Sequence, residues 1–112
     1  MRLKSISGIG YSVSDLNKTA AFYEALGFRP GKQNDGVLTV YLNWFWVEFR
    51  QGEVEQGGPA IYLSVEGIDD FYAHLGELNI KADGQPVDTT GGRRELVITD
   101  PDGYKLVLFE KK

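Results

Sequence analysis

The feature that most constrains the fold is an internal repeat, because one order of strand-like and helix-like segments occurs twice. In each copy, a stretch of alternating apolar and polar residues precedes a segment whose apolar residues recur at helical spacing. The two apolar stripes lie 52 residues apart and comprise Leu16, Ala20, Tyr23 and Leu26 in the first copy and Ile68, Tyr72, Leu75 and Leu78 in the second. The repeat predicts two β-α-β-β-β modules and therefore an α+β fold.

The other segments complete this order in each module. Hairpins are predicted around Asn43-Trp44 in the first copy and around residues 100–103 in the second. Residues 29–36 predict a weak strand or a loop, and residues 83–92 predict a longer loop in the second copy. The predicted strands are 6–14, 37–42, 45–51, 59–66, 93–99 and 104–110. We expect a single domain with module one at 1–52, a linker at 53–58 and module two at 59–112.

Each predicted sheet has one face for the core and a second face that carries large aromatic side chains among a few charges. Neighbouring strand residues point to opposite sides, so Val47 faces the core whereas Trp46 and Glu48 face the other way. The predicted strand core comprises Leu38, Val40, Leu42, Phe45, Val47, Phe49, Ile61, Leu63, Val65, Leu96, Ile98, Leu106 and Leu108. We expect the second faces to bound an incomplete eight-stranded barrel-like cavity with the helices outside. The expected ligand-binding residues are Tyr41, Trp46, Glu48, Arg50, Tyr62, Glu95 and Phe109.

Composition limits the chemistry that such a cavity can perform. The chain has one histidine, no cysteine and a formal net charge of -4. Without cysteine there are no thiol nucleophiles, disulfides, iron–sulfur clusters or thiolate zinc sites. The negative charge argues against nucleic acid or an anionic membrane surface as a partner and permits a cationic ligand. No apolar stretch approaches the roughly 20 residues of a membrane span and no signal-peptide pattern is visible, so we expect a cytoplasmic protein.

Three motifs give this sequence a resemblance to a known family. They are Val13-Ser14-Asp15-Leu16, then Phe22-Tyr23-Glu24-Ala25-Leu26-Gly27-Phe28, and Asp100-Pro101-Asp102-Gly103-Tyr104 before the terminal strand. At this spacing they resemble the vicinal oxygen chelate superfamily, which includes glyoxalase I, extradiol dioxygenases and bleomycin-resistance proteins. The motifs are caps, core residues and turns, and they therefore indicate the fold rather than a reaction.

The resemblance implies metal ligands at one position on each of four strands, and this sequence departs from the family there. Carried over by register, the four positions are Gly8, Glu48, Ala60 and Val107. Only Glu48 has a donor side chain, whereas a transition metal needs about three protein ligands. A register shift of two residues does not supply the missing donors. We therefore expect no metal centre and no cofactor, and neither ordinary glyoxalase nor extradiol dioxygenase chemistry.

Several residues allow both a structural and a functional interpretation. His74, on the second predicted helix, is interpreted as a partly solvated residue rather than a metal ligand. Glu48 either pairs with Arg50 at the surface or lies at a pocket floor, where it would bind a cationic or hydrogen-bonding group. The run Arg93-Arg94-Glu95 either holds an anion or forms a solvated strand edge, and we favour the edge.

Three functional hypotheses remain open at this point. The first is a metal-independent small-molecule-binding protein similar to bleomycin-resistance members that sequester antibiotics, which the resemblance implies to be a homodimer. It would hold a partly aromatic ligand that can carry a cation, with Glu48 fixing a polar group and Tyr41, Trp46, Tyr62 and Phe109 supplying apolar contact. The alternative is a lyase or isomerase of the same superfamily with Glu48 as general acid or base. The third is a structural dimer whose cavity its own aromatic residues fill.

Overall fold

The computed structural model describes residues 7–54, 58 and 60–112, which fall into two compact units divided after residue 55. This division lies inside the expected linker, of which residues 55–57 are outside the described part of the chain. Each unit contains one module of the predicted order, and the two helices begin at Leu16 and Ile68, at the expected spacing of the repeat. The α+β prediction is confirmed, because each module is one helix with one mixed four-stranded sheet.

Module one has the strand order β1-β4-β3-β2, in which β1 runs parallel to β4 and the other neighbours are antiparallel. Its elements are β1 (Gly8–Val13), α1 (Leu16–Leu26), β2 (Arg29–Asn34), β3 (Val37–Leu42) and β4 (Phe45–Gln51). The segment that predicted a weak strand or a loop is thus the edge strand β2. Its six residues are all exposed, which explains why they show no apolar pattern.

Module two has the corresponding order β5-β8-β7-β6, with β5 parallel to β8. Its elements are β5 (Ile61–Ser64), α2 (Ile68–Leu75), a 3-10 turn (Gly76–Leu78), β6 (Val87–Asp88), β7 (Arg93–Thr99) and β8 (Lys105–Lys111). The long loop predicted at 83–92 contains β6, which pairs with Glu95 and Arg94 of β7. Two exposed residues are too short a segment for strand periodicity to indicate.

The predicted apolar faces form the core, with a few differences that have local causes. Leu42 is 41% exposed because it is the last residue of β3 before an exposed turn at Trp44. Tyr72 is exposed as well, and its phenol hydroxyl can therefore form hydrogen bonds with water. The helical spacing fails at Leu78 because the chain there follows a tighter 3-10 turn, and Ile80 is buried instead. Neither described helix is long and apolar enough to cross a membrane.

The start of α1 follows the predicted capping chemistry. The Asp15 carboxylate accepts hydrogen bonds from the backbone N–H groups of Asn17 and Lys18 at 2.9 and 3.2 Å. Gly27, in the left-handed conformation, ends the helix as predicted. Gln51, the last residue of β4, accepts from the backbone N–H of Leu16 at 3.4 Å and so ties the sheet to the helix.

The start of α2 is capped by a residue distant in sequence. Gly67 occupies the N-cap position and has no side chain, and the Glu110 carboxylate accepts from the N–H groups of Gly67 and Ile68 at 2.7 and 3.1 Å. Glu110 lies on β8, the strand that corresponds to β4 in module one. The same strand of each module therefore holds the start of that module's helix, through Gln51 in one and Glu110 in the other.

This cap makes the stability of module two depend on pH. The hydrogen bonds from Gly67 and Ile68 lower the pKa of Glu110, with Arg94 acting in the same direction and Asp69 against it. A lowered folded-state pKa adds stability above the carboxyl's ordinary pKa of about 4.3, and this contribution is lost as the pH falls through the folded-state pKa. We expect Glu110→Gln to be less stable than the parent near pH 7, and we expect this difference to become smaller as the pH is lowered towards 3.

Urea denaturation followed by far-ultraviolet circular dichroism at both pH values measures this difference. The matched control is Glu66→Gln, which removes an exposed carboxylate close to the same helix start. If Glu110→Gln lowered the free energy of unfolding by as much at low pH as at neutral pH, the proposed pH dependence would be refuted.

Candidate functional site

The second face of the module-one sheet is centred on Glu48 in β4. In register, Glu48 lies opposite Gly10 on β1 and Thr39 on β3. Its carboxylate pairs with Arg50 at 2.9 Å, and the two side chains are 29% and 64% exposed. Glu48 therefore has the partner that the surface-pair interpretation expected. Most of the Glu48 side chain is nevertheless buried. Gly10 leaves space beside the carboxylate, since a Cβ there would lie 4.0 Å from Glu48 Oε2.

Trp46 covers the next row of this face, opposite Gly8 on β1 and Tyr41 on β3. A Cβ atom at Gly8 would overlap both the indole ring and the carbonyl oxygen of Trp46. Glycine is therefore required at position 8 by the close approach of Trp46. The indole ring occupies the space that a side chain at position 8 would need.

Tyr41 continues the aromatic surface beyond Trp46. A Cβ at Gly31 on β2 would lie 2.7 Å from the Tyr41 ring, so the ring packs directly on that glycine. The Arg29 guanidinium lies 5.6 Å from the centre of the same ring, within the range of a cation–π contact. The structure thus brings together Tyr41, Trp46, Glu48 and Arg50, four of the expected ligand-binding residues, on one sheet face.

The other three expected residues lie together on the second face of module two. Phe109 on β8 pairs with Ser64 of β5 and with Glu95 of β7, and Tyr62 lies two residues before Ser64. The Arg93 guanidinium lies 5.1 Å from the Phe109 ring centre and 5.7 Å from the Tyr62 ring centre. Arg93 also pairs with Glu95 at 2.8 Å.

Arg93 is the site residue that the sequence analysis placed wrongly. We favoured a solvated strand edge, but its side chain is only 38% exposed and contacts two aromatic rings. The signal that could have found it is the same alternation that placed Glu95 on this face, because residues 93 and 95 of a strand point to the same side. The aromatic faces that we expected to receive a ligand cation in module two already contact a cation of the chain itself.

A cavity of about 320 Å³ adjoins Glu95 in module two, between β7 and the segment before β6. It is lined by Asp83, Gly84, Gln85, Val87, Glu95 and Val97. At one end, Asp83 accepts hydrogen bonds from Lys105 Nζ at 2.8 Å and from the Thr99 hydroxyl at 2.8 Å. These hydrogen bonds lower the pKa of Asp83, which keeps the carboxylate ionised.

Arg94, the neighbour of Arg93, points to the opposite side of the sheet and has a structural role. It donates from Nε and Nη2 to Asp69 in the first turn of α2 and from Nη1 to Asp88 in β6. The two carboxylates raise the pKa of Arg94. Lys112 and Arg94 lower the pKa of Asp88 through hydrogen bonds. This group joins helix, edge strand and chain end on the helix side of the sheet.

Three comparisons with known proteins agree with this architecture. The sequence profile of the Glyoxalase/Bleomycin resistance protein/Dioxygenase superfamily matches residues 5–108. The chain belongs to this superfamily. A curated relative, metallothiol transferase FosB of Lysinibacillus sphaericus (strain C3-41), is 31% identical over an alignment 119 positions long, and the alignment covers 94% of this chain and 81% of FosB. The family predicted from the three motifs is therefore confirmed.

Solved structures share the fold of this chain at low sequence identity. Virulence protein STM3117 from Salmonella typhimurium superposes over the whole of both chains with a TM-score of 0.81 and 21% identity. A glyoxalase/bleomycin resistance protein/dioxygenase from Nocardioides has a TM-score of 0.83 at 16% identity, covering 99% of this chain and 85% of that one. At these identities the likeness concerns the fold.

The metal positions of the superfamily, carried over by register, do not fit a metal ion in this chain. Gly8, Ala60 and Val107 have no side-chain donor atoms, and the space at Gly8 is filled by the Trp46 indole. The one donor, Glu48, pairs with Arg50. Across residues 7–54, 58 and 60–112, no group of three or more His, Cys, Asp or Glu side chains is arranged to hold a metal ion.

His74 lies away from both sheet faces. Its Nδ1 atom is 2.7 Å from Glu77 Oε2, and both side chains are mostly exposed on the surface of module two. The structure therefore agrees with the interpretation of His74 as a partly solvated helix residue.

Proposed function

We propose that this protein binds a small planar organic ligand with a cationic or N–H-bearing group on the second face of module one, without a divalent metal. The observation that carries this proposal is the indole of Trp46, which fills the superfamily's metal-ligand position at Gly8 beside the carboxylate of Glu48. In this proposal, the indole of Trp46 replaces a metal ligand at position 8, and the carboxylate of Glu48 is the neighbouring hydrogen-bond acceptor.

The chemistry of the face supports such a ligand. Trp46 and Tyr41 offer ring faces on which a planar group can stack, and stacked aromatic pairs add about 0.5–1.5 kcal/mol beyond the area that they bury. Glu48 can accept hydrogen bonds from a cation or an N–H group in addition to its pair with Arg50. Arg50, the other member of the pair, is 64% exposed, and an ion pair that is open to solvent on one side is weak enough for a ligand to compete with Arg50 for the carboxylate.

The test uses benzamidine, a planar ring with an amidinium group, and the tryptophan fluorescence of the protein. The chain has two tryptophans, and Trp44→Phe leaves Trp46 as the single indole. We expect benzamidine to quench Trp46 saturably and equally with and without EDTA. In the same background, Glu48→Gln should weaken binding by about tenfold or more, because a charge-assisted hydrogen bond is lost.

Two controls accompany the titration. Glu24→Gln removes an exposed carboxylate of α1 in the same module and should leave binding unchanged. Benzamide, the neutral analogue, should bind more weakly than benzamidine. The proposal fails if benzamidine gives no saturable signal, if EDTA abolishes the signal, or if Glu48→Gln binds as tightly as the parent.

A catalytic role is the second candidate, since the relative FosB is named as a transferase. In this alternative Glu48 acts as a general acid or base in a lyase or isomerase reaction, with Tyr41 of the same sheet as a hydrogen-bond donor. The Glu48→Gln variant separates the candidates, because proton transfer by Glu48 predicts lost turnover with retained binding of a substrate.

The assembly and the location of the protein belong to the same proposal. We propose a cytoplasmic homodimer, as in the superfamily members that it resembles, with no metal cofactor and no nucleic-acid or membrane partner. Native mass spectrometry of freshly purified protein reports the subunit number, any bound metal and any ligand that copurifies. A monomer, or zinc, nickel or iron bound at one ion per chain, would contradict it.

A further inference from the structure

We infer that Arg93 in module two binds the carboxylate of a small organic acid. The first observation is the position of its guanidinium, which lies 5.1 and 5.7 Å from the ring centres of Phe109 and Tyr62. The second is its single ion pair, from Nη2 to Glu95 Oε2 at 2.8 Å. Within the described part of the chain, Glu95 is the one carboxylate that Arg93 contacts.

Comparison with the neighbouring Arg94 shows how many carboxylates one guanidinium can bind in this module. Arg94 binds two carboxylates at once, Asp69 through Nε and Nη2 and Asp88 through Nη1. A guanidinium has five N–H donors in a planar fork that matches a carboxylate edge. Arg93 has the same fork but only one carboxylate, so it retains donors for a second one.

The surroundings hold this fork in place before a ligand arrives. The backbone of Arg93 is fixed by Thr89, whose N–H donates to the Arg93 carbonyl at 2.7 Å and whose hydroxyl accepts from the Arg93 N–H at 3.3 Å. The aromatic rings of Phe109 and Tyr62 flank the side chain, and Glu95 holds one end of it. A fork restrained in this way loses little conformational entropy on binding.

The apolar part of the ligand follows from the side chains next to the fork. Tyr62 is 56% exposed, and Val87, which pairs with Glu95 in register, is exposed too. Glu95 also lines the cavity of about 320 Å³ that Val87 and Val97 border. A ring or short alkyl chain attached to the carboxylate would cover these groups and remove apolar surface from water. The ligand class is therefore an aryl or alkyl carboxylate.

Benzoate is the probe for this site, and two-dimensional NMR of ¹⁵N-labelled full-length protein is the readout. We expect saturable shifts of the Arg93 Nε–H signal and of the β7 and β8 amides. Arg93→Gln should weaken benzoate binding by about tenfold or more, since it removes a charge-assisted bidentate contact. Arg93→Lys keeps the charge but loses the fork, and it should be weakened similarly.

The controls separate this site from general charge effects and from the module-one proposal. Lys18→Gln removes an exposed positive charge on α1 of module one and should leave the benzoate affinity within about twofold. Glu48→Gln should not affect benzoate, and Arg93→Gln should not affect benzamidine. The inference is overturned if benzoate does not bind, if binding survives in a folded Arg93→Gln protein, or if benzamide binds as well as benzoate. None of these outcomes bears on benzamidine binding at Trp46.

Discussion

Replacing Gly8 by histidine is expected to destabilise module one and not to create a zinc site. Position 8 is a metal-ligand position of the superfamily, but a Cβ there would overlap the indole and the carbonyl oxygen of Trp46. Overpacking of this kind typically costs about 1–3 kcal/mol, and the involvement of a backbone atom places the expected loss near the upper end. Urea denaturation measures the loss, and equilibrium dialysis against zinc measures binding.

The matched control is Gly10→Ala, two residues along the same face of β1. A Cβ at Gly10 would lie 3.6 Å from the carbonyl oxygen of Glu48, which is an ordinary contact, so the stability should change by less than about 1 kcal/mol. If Gly8→His folded like the parent and bound zinc at one ion per chain, the indole would have to move aside. The proposed replacement of metal by an aromatic surface would then be wrong.

Truncating Tyr23 to alanine is expected to give the largest loss of stability in module one. Tyr23 is completely buried, and its ring centre lies 4.7 Å from that of Phe49 and 5.2 Å from those of Phe22 and Phe28. Removing a buried aromatic ring costs about 3–5 kcal/mol through lost transfer free energy and the cavity that remains. This is a large part of the roughly 5–15 kcal/mol by which domains are stable.

Fluorescence is a specific readout for this variant, because both tryptophans lie in module one. The control Tyr23→Phe keeps the ring and should lose about 1 kcal/mol, the usual contribution of one hydrogen bond. Equal losses for the alanine and phenylalanine variants would show that the hydroxyl, rather than ring packing, stabilises this core.

Alternation along each strand predicted which side chains share a sheet face, but it did not predict which side chains of other strands they contact. Alternation along β4 placed Trp46, Glu48 and Arg50 together, and the structure has the Glu48–Arg50 pair. Alternation could not show that Trp46 covers Gly8, because residues 8 and 46 meet only through the register of β1 and β4. The same holds for Arg93, which meets Tyr62 and Phe109 from another strand.

Helix starts show the same division between local and distant information. Asp15 caps α1 from the residue before the helix, and a local sequence signal is sufficient to predict it. Glu110 caps α2 from 42 residues away, in place of a side chain that Gly67 lacks. No local pattern around Gly67 indicates this, since the partner is supplied by the parallel pairing of β5 and β8.

By itself, the sequence determined the repeated order of elements, the faces of the strands and the absence of side-chain donor atoms at Gly8, Ala60 and Val107. These properties depend on local periodicity and on side-chain chemistry, which do not change with the fold. The tertiary structure decided which side chains meet across strands: Trp46 over Gly8, Arg93 against Phe109, and Glu110 at the start of α2. Such contacts depend on strand register and on chain segments that are far apart in sequence, and each proposed binding site includes at least one of them.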